Sequence, residues 1–134
     1  MSYDIELTDP VTGDVLELDS SHHMRGGAYA IGGTSLAHLN VTYNYSEHFK
    51  RAFGNEAVEM NSFERIFGGG DTGIRSIYGM TGAASIPVLR SAAAKLGDDV
   101  DPDYWKPTEG NAKRALLQLI ALAEMRPDGI WTGD

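Results

Sequence analysis

The residues best suited to chemistry stand at the start of the last helical segment. Thr108, Gly110 and Asn111 place a hydroxyl, an unobstructed backbone and a carboxamide in one first turn. The N–H groups of a helical first turn have no intrahelical partner, point outward and favour an anion. Lys113 and Arg114 follow one turn further in. Cations near a helix start are unfavourable by about 0.3–1 kcal/mol unless something negative compensates. Two compensators are open: Glu109 and the aspartates of residues 98–103 from within, or a phosphate from outside. Tyr104 and Trp105, just upstream, either stack on a base or close the core.

A second constellation lies at 36–45. Asn40, Thr42 and Asn44 alternate with Val41, Tyr43 and Tyr45, so an extended chain carries the three polar residues on one face. Two amides and a hydroxyl there can bond a ligand without charge; the competing reading is turn-forming asparagines ahead of the next helix. The binding set expected from both stretches is Arg25, Asn40, Thr42, Asn44, Thr108, Asn111, Lys113 and Arg114 as polar contacts, with Tyr43 and Trp105 as stacking surfaces.

Other chemistries find weaker patterns. His22, His23, His38 and His48 are polar-flanked and of the side-chain type suited to acid–base work, but no His-x-x-x-His, His-Glu-x-x-His or Gly-x-Ser-x-Gly occurs. The glycine pairs at 26–27 and 32–33 match neither a Walker loop nor the dinucleotide fingerprint, and glycine doublets also mark bulges. Asp98, Asp99, Asp101 and Asp103 lack the central glycine and later glutamate of a calcium loop, so an acidic solvated linker is expected. No catalytic residue, metal ligand or cofactor is assigned.

The elements that must position these residues read as an α+β domain weighted towards α: an N-terminal β-hairpin and short strands, then a small helical bundle. Tyr3, Ile5 and Leu7 alternate with polar residues, as do Leu16 and Leu18, and Asp9-Pro10-Val11-Thr12-Gly13 between them is turn chemistry. This predicts a hairpin over 2–19. Ser46 is expected to cap a helix to about Phe53, with Phe49, Ala52 and Phe53 inward and Gly54 ending it. Residues 56–67 suit a second short helix with Met60, Phe63, Ile66 and Phe67 inward. Gly68, Gly69 and Gly70 break it as a surface loop or mobile lid.

Thr72 should cap a turn carrying Ile74, Ile77 and Tyr78, stopped by Gly79. A helix from about Ala84 to Leu96 buries Val88, Leu89, Ala92, Ala93 and Leu96, with Pro87 in its first turn and Gly97 at C′. The last helix, capped by Thr108, repeats apolar residues at Ala112, Ala115, Leu116, Leu119, Ile120 and Ala123; Leu117 and Leu122 widen the arc, which predicts a central helix. Ile130 and Trp131 then fold back, as core or as a homo-oligomer contact.

The chain has 134 residues and the length of one domain, 1–134, able to bury a core without staples. It lacks cysteine, which removes disulfides, thiolate sites and cysteine nucleophiles, and it shows no apolar run of membrane length. Asp4 and Glu6 stand where a signal peptide would be basic, so a cytoplasmic location is expected. The net charge of −8 disfavours direct nucleic-acid and membrane partners.

Asn-Val-Thr-Tyr-Asn-Tyr at 40–45, Ile-Tyr-Gly-Met-Thr-Gly at 77–82 and Tyr-Trp-Lys-Pro-Thr-Glu-Gly-Asn-Ala-Lys-Arg-Ala-Leu at 104–116 resemble a group of small proteins from bacterial and phage genomes, over about residues 20–131. The resemblance implies a compact accessory protein of a phage or mobile element, not a metabolic enzyme. Three functions follow as expectations. The first is a non-enzymatic binder of an anionic, nucleotide-like ligand, sequestering a host defence signal. The second is an acidic protein–protein inhibitor that occupies a basic surface on a host defence enzyme as a nucleic-acid mimic. The third is a small histidine-dependent hydrolase.

Overall fold

The computed structural model describes residues 2–22, 34–57 and 73–134. Strand β1 (Ser2–Thr8) is the centre of a three-stranded antiparallel sheet. It pairs with β4 (His38–Thr42) along Ser2–Glu6 and with β5 (Ile130–Gly133) along Ile5–Thr8. Tyr3, Ile5 and Leu7 point into the core beside Leu39, Val41 and Trp131, while Asp4, Glu6, His38 and Asn40 take the other face. Period-two alternation thus builds a sheet with one apolar side. A separate two-stranded ladder joins β2 (Glu17–His22) to β3 (Thr34–Leu36).

Of the hairpin expected over 2–19, the turn and the closing end form, with Asp9 N–H donating to the Asp14 carbonyl, and the outer part of the ladder does not. The turn itself is in place: Gly13 adopts φ +78°, Asp9 Oδ1 accepts from the N–H groups of Val11 and Thr12, and Thr8 bridges Val15. Leu16 N–H still donates to the Leu7 carbonyl at 2.9 Å; from Glu17 the chain pairs with β3 instead, while β4 and β5 flank β1. Leu16 and Leu18 still reach the core.

Three helices cover the sheet's apolar side: α1 (Ser46–Ala57), α2 (Gly82–Ala94) and α3 (Glu109–Met125). Phe49, Ala52 and Phe53 are buried along α1 as their spacing predicts. That helix runs through Gly54, whose intrinsic cost of about 1 kcal/mol does not end it. Ser46 is its first residue rather than its cap, and its hydroxyl donates to the Tyr43 carbonyl.

Helix α2 starts two residues earlier than expected, so Pro87 lies in its interior. Thr81 caps it by accepting from Ala84 N–H, and Gly82 and Ala83 N–H donate to the Gly129 and Pro127 carbonyls. Lys95 is its C-cap, so Gly97 is not the left-handed C′ residue and Val88 is only half-buried. Helix α3 packs against α2 and is buried on several sides. Ile74–Ile77 form a 3-10 turn with Tyr78 as its extended C-cap and Gly79 after it at φ +91°.

Ile130 and Trp131 fold back as β5. Trp131 is 0% exposed, and its indole N–H donates to Ser85 Oγ at 2.7 Å, so it belongs to the core and not to a dimer contact. No helix among the described residues is long and apolar enough to cross a membrane. Arg25, the glycine pairs at 26–33, residues 58–67 of the helix expected over 56–67, the glycine triplet and Thr72 lie outside the described residues, as do the side chains of His22 and His23; positions 56 and 57 belong to α1.

Candidate functional site

The start of α3 is organised by the acidic segment before it. Thr108 Oγ1 accepts from Asn111 N–H at 3.1 Å and Asp99 Oδ1 accepts from Gly110 N–H at 3.0 Å. Two of the first-turn donors are thereby met from within, and the Asp99 carboxylate supplies the negative charge that a helix start favours. Asp98 pairs with Lys113 at 2.7 Å. The approach is close enough that a Cβ on Gly110 would lie 2.5 Å from the Asp99 carbonyl carbon, so glycine is sterically required.

Asn111 is the hub. It is almost fully buried; its Oδ1 accepts from Asp101 N–H, and its Nδ2 donates to the Asp103 and Lys106 carbonyls at 3.0 Å each. The acidic stretch is largely solvent-exposed, as expected, and its backbone is also tied to the start of α3 by these bonds. Asp101 Oδ1 accepts from Asp103 N–H, which holds its carboxyl below the usual range with help from Lys106.

The Asn-rich segment does reach this loop. Strand β4 ends at Thr42, and Tyr43–Tyr45 form a 3-10 turn capped by Thr42, so Asn40, Thr42 and Asn44 do not share one extended face. Thr42 N–H donates to Tyr104 Oη at 2.7 Å, and Asn44 Nδ2 donates to the Trp105 carbonyl at 2.8 Å. Tyr45 Oη donates to the Tyr104 carbonyl. Asn40 is turned the other way, to Ser2 Oγ and Asp4 Oδ1 on β1. The Tyr43 ring meets Tyr3 edge-on at 4.5 Å and its hydroxyl accepts from Arg75.

Of the expected contacts, then, Asn40, Thr42, Tyr43, Asn44, Thr108, Asn111 and Lys113 have polar partners inside the protein. Two remain open. Trp105 is 59% exposed. Arg114 has its Nε buried without a hydrogen-bond partner among the described residues, as are both amide atoms of Gln118 one turn on. Burial pushes the Tyr45 and Tyr104 hydroxyls above their ordinary values, with the Arg114 charge opposing.

An open pocket of about 290 Å³ lies between α1 and the end of α2, lined by Arg51, Ala52, Lys95 and Leu96. It borders the approach to α3: His48, one turn before Arg51, bonds the Pro107 carbonyl at 2.7 Å, and Gly97 N–H donates to Glu109 Oε1 at 3.2 Å. A carbonyl only accepts, so His48 carries its proton on Nε2, and its Nδ1 accepts from the Arg51 guanidinium. Lys95 Nζ donates to the Ala52 carbonyl at 3.1 Å.

The sequence reading missed Arg51 and Lys95. His48 and Arg51 share a helical face by their i,i+3 spacing. Nothing local brings Lys95, more than forty residues on, to meet them. Among the described residues no group of three or more His, Cys, Asp or Glu is placed to hold a metal ion. The chain matches no protein-family model, no curated protein and no solved structure.

Proposed function

We propose that this is a non-enzymatic binding protein that captures an anionic, nucleotide-like small ligand, with a phosphate against Arg51 and Lys95. The observation that carries this reading is the sign of the pocket. On a chain of net charge −8, the charged residues that line it among the described residues are an arginine and a lysine. Its volume is at the lower end for ligand sites, which suits a phosphoryl group with the rest of the ligand over the pocket mouth. Arg51 offers planar, paired donors to phosphate oxygens and Lys95 a point charge. Both ring nitrogens of His48 are engaged, which supports holding over general-base chemistry. The resemblance to small phage and bacterial proteins supports a setting in which the ligand is a host signal removed by sequestration.

The test is thermal unfolding against nucleotides, cyclic dinucleotides and ADP-ribose derivatives. A ligand at 100 times its Kd should add about 2.7 kcal/mol of stability. The double variant Arg51→Glu, Lys95→Glu should keep its fold and lose that shift. A panel that moves the midpoint of neither protein would refute the reading.

A further inference from the structure

The loop between α2 and α3 carries a feature that the anion pocket does not use. Trp105 presents its indole to solvent at 59% exposure, on a backbone fixed from three directions. Its N–H donates to Asp103 Oδ1 at 3.0 Å, its carbonyl accepts from Asn44, and its ring rests edge-on against Tyr104, centroids 4.9 Å apart at 71°. Asn111 ties down the residues on either side through the Asp103 and Lys106 carbonyls. The backbone that carries the indole is therefore ordered before any partner arrives, which lowers the entropy cost of binding through it. Val100, 51% exposed, adds a second apolar group to the same loop.

Charge identifies what fits. Residues 98–109 hold five carboxylates against one lysine, so these twelve residues carry half of the chain's net charge of −8. A second copy of this chain, a nucleic acid or an anionic lipid would be repelled. A cationic group is attracted, and the open face of a tryptophan is the best aromatic surface for one. Guanidinium suits it better than ammonium, since it is planar, stacks on the ring and pairs bidentately with carboxylates.

We propose that the Trp105 loop is a docking site for an arginine-bearing basic segment of a partner protein. The indole is the anchor, Asp103 lies beside it through the Trp105 N–H, and the net negative charge of the loop supplies the longer-range attraction. This site is independent of the anion pocket and stands or falls separately from it.

The probe is a short synthetic peptide alternating arginine and glycine, titrated into the full chain at low salt. Trp131 is 0% exposed, so acrylamide quenching of tryptophan fluorescence reports Trp105. The peptide should shield Trp105 saturably, and its lysine counterpart should bind several-fold more weakly. Trp105→Ala should weaken the arginine peptide about tenfold in calorimetry, the scale of a desolvated cation–π anchor, with the melting temperature unchanged. Asp98→Asn with Asp103→Asn should weaken it and flatten its salt dependence, while asparagine at 103 keeps an acceptor for Trp105 N–H. Undiminished affinity in Trp105→Ala would reduce the effect to general acidic attraction and overturn the proposal. So would peptide binding that leaves Trp105 as quenchable as before.

Discussion

Asn111 commits every polar atom of its side chain to one loop, holding Asp101, Asp103 and Lys106 against the start of α3. Each such bond contributes about 0.5–1.5 kcal/mol net, so Asn111→Ala should cost roughly 2–4 kcal/mol in urea unfolding. A loss below the value of one bond would show that water replaces the side chain. Gln118 is the opposite case. It is fully buried, yet neither amide atom finds a partner among the described residues. An unmet buried polar group costs about 1–3 kcal/mol, and methionine has nearly the same shape. Gln118→Met should therefore stabilise the protein by an amount in that range. A lower unfolding midpoint in the variant would mean that the amide is satisfied in solution. The two residues lie seven apart on one helix, and side-chain type alone does not separate them. Asn111 sits in the first turn, where a capping role could be read from the sequence, and Gln118 sits in an apolar arc, where nothing local explains it.

The loop over α3 should be sensitive to acid as a unit. Asp101 accepts the Asp103 N–H and lies near Lys106, which lowers its folded pKa. A carboxyl depressed in the folded state contributes its full stabilisation above the ordinary aspartate value of about 3.9; that contribution is lost as pH falls from there through the lower folded value. Trp105 emission should therefore shift in that window before the buried Trp131 reports global unfolding. Asp101→Asn, which keeps an acceptor but cannot titrate, should delay the shift. Coincident transitions at both tryptophans would show that the loop has no local response. This loop also marks the limit of the sequence reading at the element scale. The Thr108 cap and the apolar spacing of α3 are local signals, and they hold. The acidic quartet is largely exposed, as its composition implies, but composition gives charge and not the backbone N–H groups that three of its carboxylates accept from. Helix α1 passing through Gly54 and Pro87 lying inside α2 are tertiary packing overriding local penalties.

At the scale of the whole molecule, the alternation in β1 identifies a half-buried strand but not its partners. Pairing with β4 and β5 links residues separated by up to 128 positions, beyond any local pattern. The pocket cations are hidden for the same reason, since Arg51 and Lys95 meet only once α1 packs on α2. The pairing makes residues 130–133 a structural keystone rather than a tail. Trp131 fills the space beside Leu7 and bonds Ser85 at the start of α2 through its indole. Its backbone N–H donates to the Met80 carbonyl, and its carbonyl accepts from Gly79 N–H. One short strand therefore joins the sheet to the beginning of α2. Replacing Trp131 with Phe should retain the fold, leave a small cavity and cost about 1–3 kcal/mol. Removing residues 130–134 takes away the indole, uncovers one edge of β1 and frees the α2 start together. Those losses exceed what a marginally stable domain holds in reserve. The truncated chain should lose its cooperative melt by circular dichroism, whereas Asp134→Ala, which removes only one bond to Asp4 N–H, should melt near the parent. A truncated chain with the parent's melting temperature would mean that β5 is dispensable and that β4 and the helices alone hold β1 in place.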